Sequence, residues 1–500
     1  MQELSPDAVR DEQIAELRDQ PLDLLIIGGG IVGAGVARDA AMRGLRTGLV
    51  EKHDLAFGTS SRSSRLLHGG LRYLAQGRLG LVYKASREKM ILQRIAPHLA
   101  EPLPFLFPAY RGTPWPRWKL AVGVKIYDLL CGRRNLGRSQ SLSAAAVRKV
   151  LPGIREKNLM GAVRYFDGLT NDARLVLDTL GSAARQGAIV LNYAEFLDAT
   201  ADGPIWRCRV RDGAPSGSRG DEHPLTARCV VNAAGPWSAG IPHSCVRLRL
   251  TKGVHLVVDR QRLPLPSAVV MTAGSRILFG IPWGQRTILG TTDTDYAGRP
   301  EAVSADEADI AYILEIVNAN FPAIALTPAD VIRTWAGLRP LIDARHASRP
   351  LLPSGAHPGG PSDISRAHQI HMPEPGWFDV AGGKLTTYRR IAQQVVDSVV
   401  SYQGRKAGPC RTAIEPLLPP GQTGTPSGIL PPPVRADLVA YYCRQEWAVH
   451  LDDVMIRRTS WHYYHVDAAK IALDVAGWMA GALGWDAARQ AAEVERYLKV

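Results

Sequence analysis

Gly28, Gly30 and Gly33 stand at the spacing G-x-G-x-x-G, and Glu51 follows 18 residues after the last of them. Glycines so spaced let main-chain N–H groups approach a pyrophosphate, and a later acid accepts hydrogen bonds from the adenosine ribose hydroxyls. Residues 54–74 then read DLAFGTSSRSSRLLHGGLRYL, with the small hydroxylated Thr59, Ser60 and Ser61 ahead of Gly69 and Gly70. A polar loop of small residues this close to a nucleotide suits an extended FAD with its isoalloxazine packed on backbone. An NAD enzyme usually runs into a further strand–helix repeat here, and the loop alone could also be a solvated turn. Two more turns of small residues occur downstream. Asn232-Ala233-Ala234-Gly235-Pro236-Trp237 is the first, and Gly382-Gly383-Lys384-Leu385-Thr386 is the second.

These residues need elements to hold them. Residues 24–27, LLII, read as a buried parallel strand that breaks into the glycines. An alanine-rich helix follows, and a second short apolar run ends at Glu51, which completes a βαβ unit in order. The pyrophosphate charge would sit at the helix N-terminus. Residues 76–98 carry helical periodicity, and 172–199 read as a helix followed by a strand. Residues 205–211 and 225–232 alternate as strands, and the second exits into Ala234-Gly235. Several strand-like runs within 247–293 predict an antiparallel sheet, and residues 304–320 predict a helix. Residues 378–400 return to strand, glycine turn and helix. Eight prolines between Pro409 and Pro433 mark a linker, and 434–500 read as helical.

The expected class is α/β plus α+β: a Rossmann-like FAD-binding domain, an antiparallel-sheet substrate domain and a small all-helical C-terminal domain. The FAD-binding domain is discontinuous, over 20–75, 155–245 and 366–402. Residues 76–154 and 246–365 form the substrate-binding, membrane-facing domain. A Pro-rich linker, 403–433, leads to the helical domain at 434–500.

A chain of 500 residues exceeds one comfortable core. Hydrophobic content of 46% and charged content of 21% are ordinary. The net charge of +13 is not, and it calls for an acidic partner: an anionic membrane, an anionic substrate or nucleic acid. No nucleic-acid-binding module is visible, so that class ranks last. Six cysteines show neither CxxC nor metal spacing, so no metal is expected. They read as reduced thiols in a cytosolic compartment. Residues 1–20 lack the apolar core of a signal peptide, and no window offers 18 uninterrupted apolar residues. Membrane contact, if made, is monotopic.

The motifs together resemble the FAD-dependent, quinone-linked glycerol-3-phosphate dehydrogenases of the D-amino-acid-oxidase-like flavoprotein superfamily. They are IIGGGIVGAG at 26–35, TSSRSSRLLHGGLRYL at 59–74, NAAGPW at 232–237, KGVHLVV at 252–258, LGTTDTDY at 289–296, GLRPL at 337–341, SRAHQI at 365–370 and AGGKLTTYR at 381–389. LDDVMIRRT at 451–459 looks like the family's C-terminal domain. The resemblance implies oxidation of sn-glycerol 3-phosphate to dihydroxyacetone phosphate, with hydride passing to flavin N5 and electrons to a membrane quinone. Three rivals stand beside this reading: an oxygen-using glycerol-3-phosphate oxidase, a flavin enzyme for another hydroxy or amino acid, and a silent FAD-binding adaptor. The first can share every motif, the cationic motifs favour phosphate over the second, and the presence of His68, Arg339 and Lys384 speaks against the third. The oligomeric state stays open, with a homodimer as one outcome.

The implied substrate is a dianion, and arginine forks suit phosphate. Matching the family's pattern, Arg339 and Arg366 are the phosphate-binding candidates, joined by Arg72 with Tyr73 as a neighbouring donor. Oxidising a secondary alcohol also requires a base for the hydroxyl proton, and histidine is the natural type. His68 or His255 takes that role, and the sequence does not choose. Lys384 would stabilise negative charge on reduced flavin or on the developing alkoxide. Thr291, Thr292 and Asp293 are weaker pocket candidates, and His462 and His465 read as packing.

Residues 111–138 contain seven basic residues and one acidic residue, Asp128, interleaved with Trp115, Trp118 and Tyr127. Leu120, Val124 and Tyr127 share a helical face with Cys131. The expectation is interfacial attachment to anionic lipid, against a core-packed helix with a solvated basic face. The expected location is therefore the cytoplasm, peripherally on the inner face of a bacterial cytoplasmic membrane.

Overall fold

The computed structural model describes residues 6–70, 79–131, 135–214, 220–274, 276–342 and 368–500. Of the site candidates, Arg72, Tyr73 and Arg366 lie outside the described residues. The chain divides into two compact units, the first of residues 1–61, 172–250 and 339–500, the second of 62–171 and 251–338.

The first unit is built on an eight-stranded sheet. Leu22–Ile27 lies at its centre, parallel to Thr47–Val50 on one side and to Glu222–Asn232 on the other. Ile189–Leu191 and Trp377–Ala381 extend the parallel set outward. Leu22–Ile27 is buried at every position and, apart from Asp23, apolar instead of alternating. The carboxyl ends of these strands run straight into Gly28, Glu51, Ala233 and Gly382, so the predicted turns share one edge of the sheet. That edge is where ligands bind in open parallel sheets. The helices Ile31–Met42, Asp172–Arg185 and Tyr388–Gln403 cover the sheet. The C-terminal helices Ala436–Gln445, Trp461–Tyr464, Ala468–Leu483 and Ala487–Leu498 cluster with this unit. Neither helix nor strand interrupts 404–435, in keeping with its prolines.

The second unit carries a ten-stranded sheet. The long strands Glu101–Tyr110 and Leu159–Leu169 pair antiparallel, as do Leu248–Asp259 with Arg286–Gly290 and Ala268–Ala273 with Arg276–Trp283. The joint of Ala268 and Val269 with Phe105 and Leu106 is parallel, so the expected antiparallel sheet is mixed at that point. The pair belongs to separate segments of the chain, and a local pattern of alternation does not report strand direction.

Candidate active site

At the end of the central strand the main chain turns with φ of +111° at Gly28. A Cβ there would stand 2.7 Å from the Ala233 carbonyl oxygen, and at Gly33 it would stand 1.9 Å from the Gly28 oxygen. Only glycine fits either place. Gly33 packs helix Ile31–Met42 against the turn, whereas Gly28 and Gly30 line a cavity of about 480 Å³. This volume lies within the range of small-molecule sites. Ser60 Oγ accepts the Ile31 N–H at 3.0 Å and so sits at the N-terminus of that helix.

Glu51 and the loop after it form the next wall. Its carboxylate accepts the Gly29 N–H at 2.7 Å and the His53 N–H at 2.8 Å. Burial pushes the Glu51 carboxyl up, while those two N–H donors pull it back toward the anion. Phe57, Gly58, Thr59 and Ser60 also line the cavity. Ser61 does not: it is buried and its hydroxyl faces the Gly58 carbonyl. Ala234, Gly235 and Trp237 close another side, with the Trp237 and Phe57 rings 6.2 Å apart.

The last wall is the turn Gly382–Gly383, with φ of +73° and +94°. It delivers Gly383, Lys384 and Leu385 to the cavity, and Thr386 is buried behind them. A Cβ at Gly383 would meet Ile391 at 2.4 Å, so this turn also requires glycine. Arg339 is half-buried near the end of strand Val331–Ile342, next to Pro340 in the cavity wall. A glycine cradle, a helix N-terminus, an acid and flanking aromatics are what FAD needs along its length, and the residues present fit it.

His255 and His68 belong to the second unit. His255 is 2% exposed on the strand Leu248–Asp259. Its Nε2 lies 2.8 Å from Ser64 Oγ, and its ring stacks on Trp335 with centroids 5.1 Å apart. Arg65, with φ of +55°, lays its guanidinium over the Trp283 ring at 4.4 Å. A Cβ at Gly337, on the strand Val331–Ile342, would stand 2.7 Å from the Arg62 carbonyl oxygen, so the loop carrying Ser64 passes directly over that strand. Thr292 accepts the Val254 N–H at 3.0 Å and braces the strand beside His255.

Half-buried His68 follows the short strand Leu66–Leu67. The next N–H, of Gly69, reaches Tyr127 Oη at 2.9 Å, and the Tyr127 hydroxyl donates to Asp167 at 2.5 Å. Burial, then Asp167, pushes the Tyr127 hydroxyl well up, so it stays protonated. Lys89 pairs with Asp167 at 2.9 Å, and both are buried.

Sequence reasoning missed Ser64 and Trp335 as partners of His255. Each sits inside or beside a motif already singled out, but only the fold shows that they meet the imidazole.

The helix predicted within 111–138 runs Arg117–Leu130. Leu120, Val124 and Tyr127 face inward, so the face expected to meet lipid is core. A second apolar stripe, Trp118, Val122, Ile126 and Leu129, is exposed at 70%, 53%, 39% and 79%. No helix is long and apolar enough to cross a membrane among the described residues, and no cluster there could hold a metal ion.

Residues 23–371 match the family described as FAD dependent oxidoreductase, and residues 416–490 match the C-terminal domain of alpha-glycerophosphate oxidase. A glycerol-3-phosphate dehydrogenase 2 of Mycobacterium bovis is 35% identical across 96% of this chain and 88% of its own length. An aerobic glycerol-3-phosphate dehydrogenase of Staphylococcus saprophyticus is 36% identical over 79% of this chain and 70% of its own. Among solved structures, the FAD-complexed glycerol-3-phosphate dehydrogenase of Bacillus halodurans superposes with a TM-score of 0.75. It has 28% identity and covers 98% of this chain and 96% of its own. The FAD-bound L-alpha-glycerophosphate oxidase of Mycoplasma pneumoniae shares the fold, with a TM-score of 0.59 at 18% identity over 80% of this chain and 99% of its own.

Proposed function

The chain belongs to the FAD-dependent glycerol-3-phosphate dehydrogenases, and from that membership we propose that it oxidises sn-glycerol 3-phosphate at a membrane surface and delivers the electrons to a quinone there. The flavin supplies the hydride acceptor and the route for electrons onward. The protein supplies position, charge and proton transfer.

Glu51 holds the ribose hydroxyls through the lone pairs that Gly29 and His53 leave open. Lys384 brings a positive charge to the glycine turn. Arg339 binds the substrate phosphate, with Arg72 and Arg366 as its partners and Tyr73 as a neighbouring donor. His255 takes the hydroxyl proton at Nε2. Ser64 Oγ, 2.8 Å from that nitrogen, lies at the distance a base requires of an O–H group, which supports this reading. Stacking on Trp335 fixes the ring plane. Half-buried His68 is the less confined of the two histidines.

One observation carries the membrane reading. Trp118, Val122, Ile126 and Leu129 form an exposed apolar stripe on a helix whose opposite face is already buried. Exposed Lys119 and Lys125 flank it. An apolar stripe edged by cations suits the boundary of an anionic bilayer, and quinones dissolve in that phase. Flotation with anionic vesicles tests this: the protein should bind, and a Trp118→Glu, Leu129→Glu variant should not. Vesicles carrying quinone should be reduced by substrate without peroxide. Peroxide formation at full rate in air, with no quinone turnover, would make the enzyme an oxidase instead.

A further inference from the structure

Asp54 lies three residues after Glu51 and three before Phe57, inside the loop that walls the cofactor cavity, yet it is 0% exposed. Its partners come from the far end of the chain. Arg457 Nε and Arg458 Nη1 both pair with Asp54 Oδ2, across sequence separations of 403 and 404 residues. The two arginines occupy a single π-helical turn, Asp453–Arg458. Such turns are uncommon and place successive side chains unlike an α-helix. Here neighbouring residues reach one carboxylate. Both arginines are buried, and each is anchored on its own side. Arg457 holds Asp452 at 2.8 Å and Asp453 at 2.5 Å, while Arg458 holds the Glu446 carbonyl at 2.6 Å.

Further ties run between the same C-terminal turn and the same wall. The Arg457 guanidinium lies 5.8 Å from the centre of the Phe57 ring, which faces the cavity. Tyr193 donates to Asp453 through its hydroxyl at 2.6 Å, and its N–H donates to the His53 carbonyl at 2.9 Å. Ala194 N–H reaches the Glu51 carbonyl at 2.7 Å. Asn192 joins Asp54 at 3.3 Å to the Trp447 carbonyl at 2.7 Å. The C-terminal segment therefore touches the cofactor wall from behind through buried ion pairs, a ring contact and hydrogen bonds.

We propose that Arg457 and Arg458 are positioning residues for the cofactor: through Asp54 they hold loop 51–60 against the adenosine half of FAD, so the C-terminal helical segment sets how tightly FAD is retained. A buried carboxylate without its arginines would draw in water or shift the loop. Either change displaces Glu51 and Phe57, which line the cavity directly. The C-terminal segment thereby governs a site to which it contributes no lining residue.

The test is FAD affinity, measured on the whole chain. Apoprotein of wild type and of Arg458→Gln is titrated with FAD at a temperature well below either melting point, with flavin fluorescence reporting the free cofactor. The dissociation constant should rise at least tenfold in Arg458→Gln, and FAD should raise its melting temperature less than it raises that of wild type. Arg458→Lys should restore part of the affinity. If Arg458→Gln melts lower but binds FAD with the wild-type constant, the arginine is structural only and the proposal fails. Tyr193→Phe removes one tie without unbalancing the buried charges, so it serves if Arg458→Gln does not fold. It should weaken FAD severalfold, and an unchanged constant would overturn the proposal. Binding is read without substrate, so a wrong substrate or acceptor assignment leaves this test unaffected.

Discussion

Ser64 Oγ stands 2.8 Å from His255 Nε2, joining the loop that leads to His68 with the buried strand that carries His255. With Nε2 as acceptor, the serine hydroxyl donates to it and helps to hold the ring in place. His255→Asn should lower kcat by roughly 10²- to 10⁴-fold and remove the limb of the pH–rate profile that reports the base. Ser64→Ala should cost roughly tenfold, the scale of one hydrogen bond. His68→Asn should keep the limb. A His255→Asn enzyme that retains the limb would give the base role to another group.

Arg339, next to Pro340 in the cavity wall, is the residue proposed to bind the substrate phosphate. A charge-assisted bidentate contact is worth roughly 1.5–3 kcal/mol. Arg339→Ala should therefore lower kcat/KM for the phosphorylated substrate about a hundredfold while the protein retains its yellow cofactor. Steady-state kinetics on flavin-replete protein decides it, and a value near wild type would remove Arg339 from the pocket.

The site was legible where its chemistry is local. Gly28, Gly30, Gly33 and Glu51 lie within one βαβ unit, so chain order alone brings them to one edge of the sheet. Gly383 and Lys384 were legible for the same reason, since a strand–turn–helix reads out in order. What the sequence hid depends on distant pairing. Ser64 and His255 are 191 residues apart, and Asp54 is 403 residues from Arg457. The helix Arg117–Leu130 is a different case. It is apolar on two faces, so periodicity identified a stripe, and only packing showed that Leu120, Val124 and Tyr127 form the inner one.

His243 bridges Glu374 at 2.8 Å and the Ala199 carbonyl at 2.9 Å. Burial works against its charge, but these two acceptors outweigh it and raise its pKa above the ordinary 6.5. A raised folded-state pKa means a stabilising contribution that is complete below the unfolded value and lost as pH rises through the folded one. The stability difference between wild type and His243→Asn in denaturant unfolding should be largest below the ordinary histidine pKa and shrink as pH rises through the raised folded-state value. Asparagine suits the φ of +66° at this position. A difference that grows with pH would contradict the assignment.

The most direct test of the account is anaerobic mixing of the flavin-loaded protein with glycerol 3-phosphate, with glycerol and lactate as controls. The account predicts rapid bleaching of the visible flavin absorbance by the phosphate ester alone. Bleaching by lactate, or by none of the three, would mean that the glycine cradle holds FAD while the cations serve a different substrate.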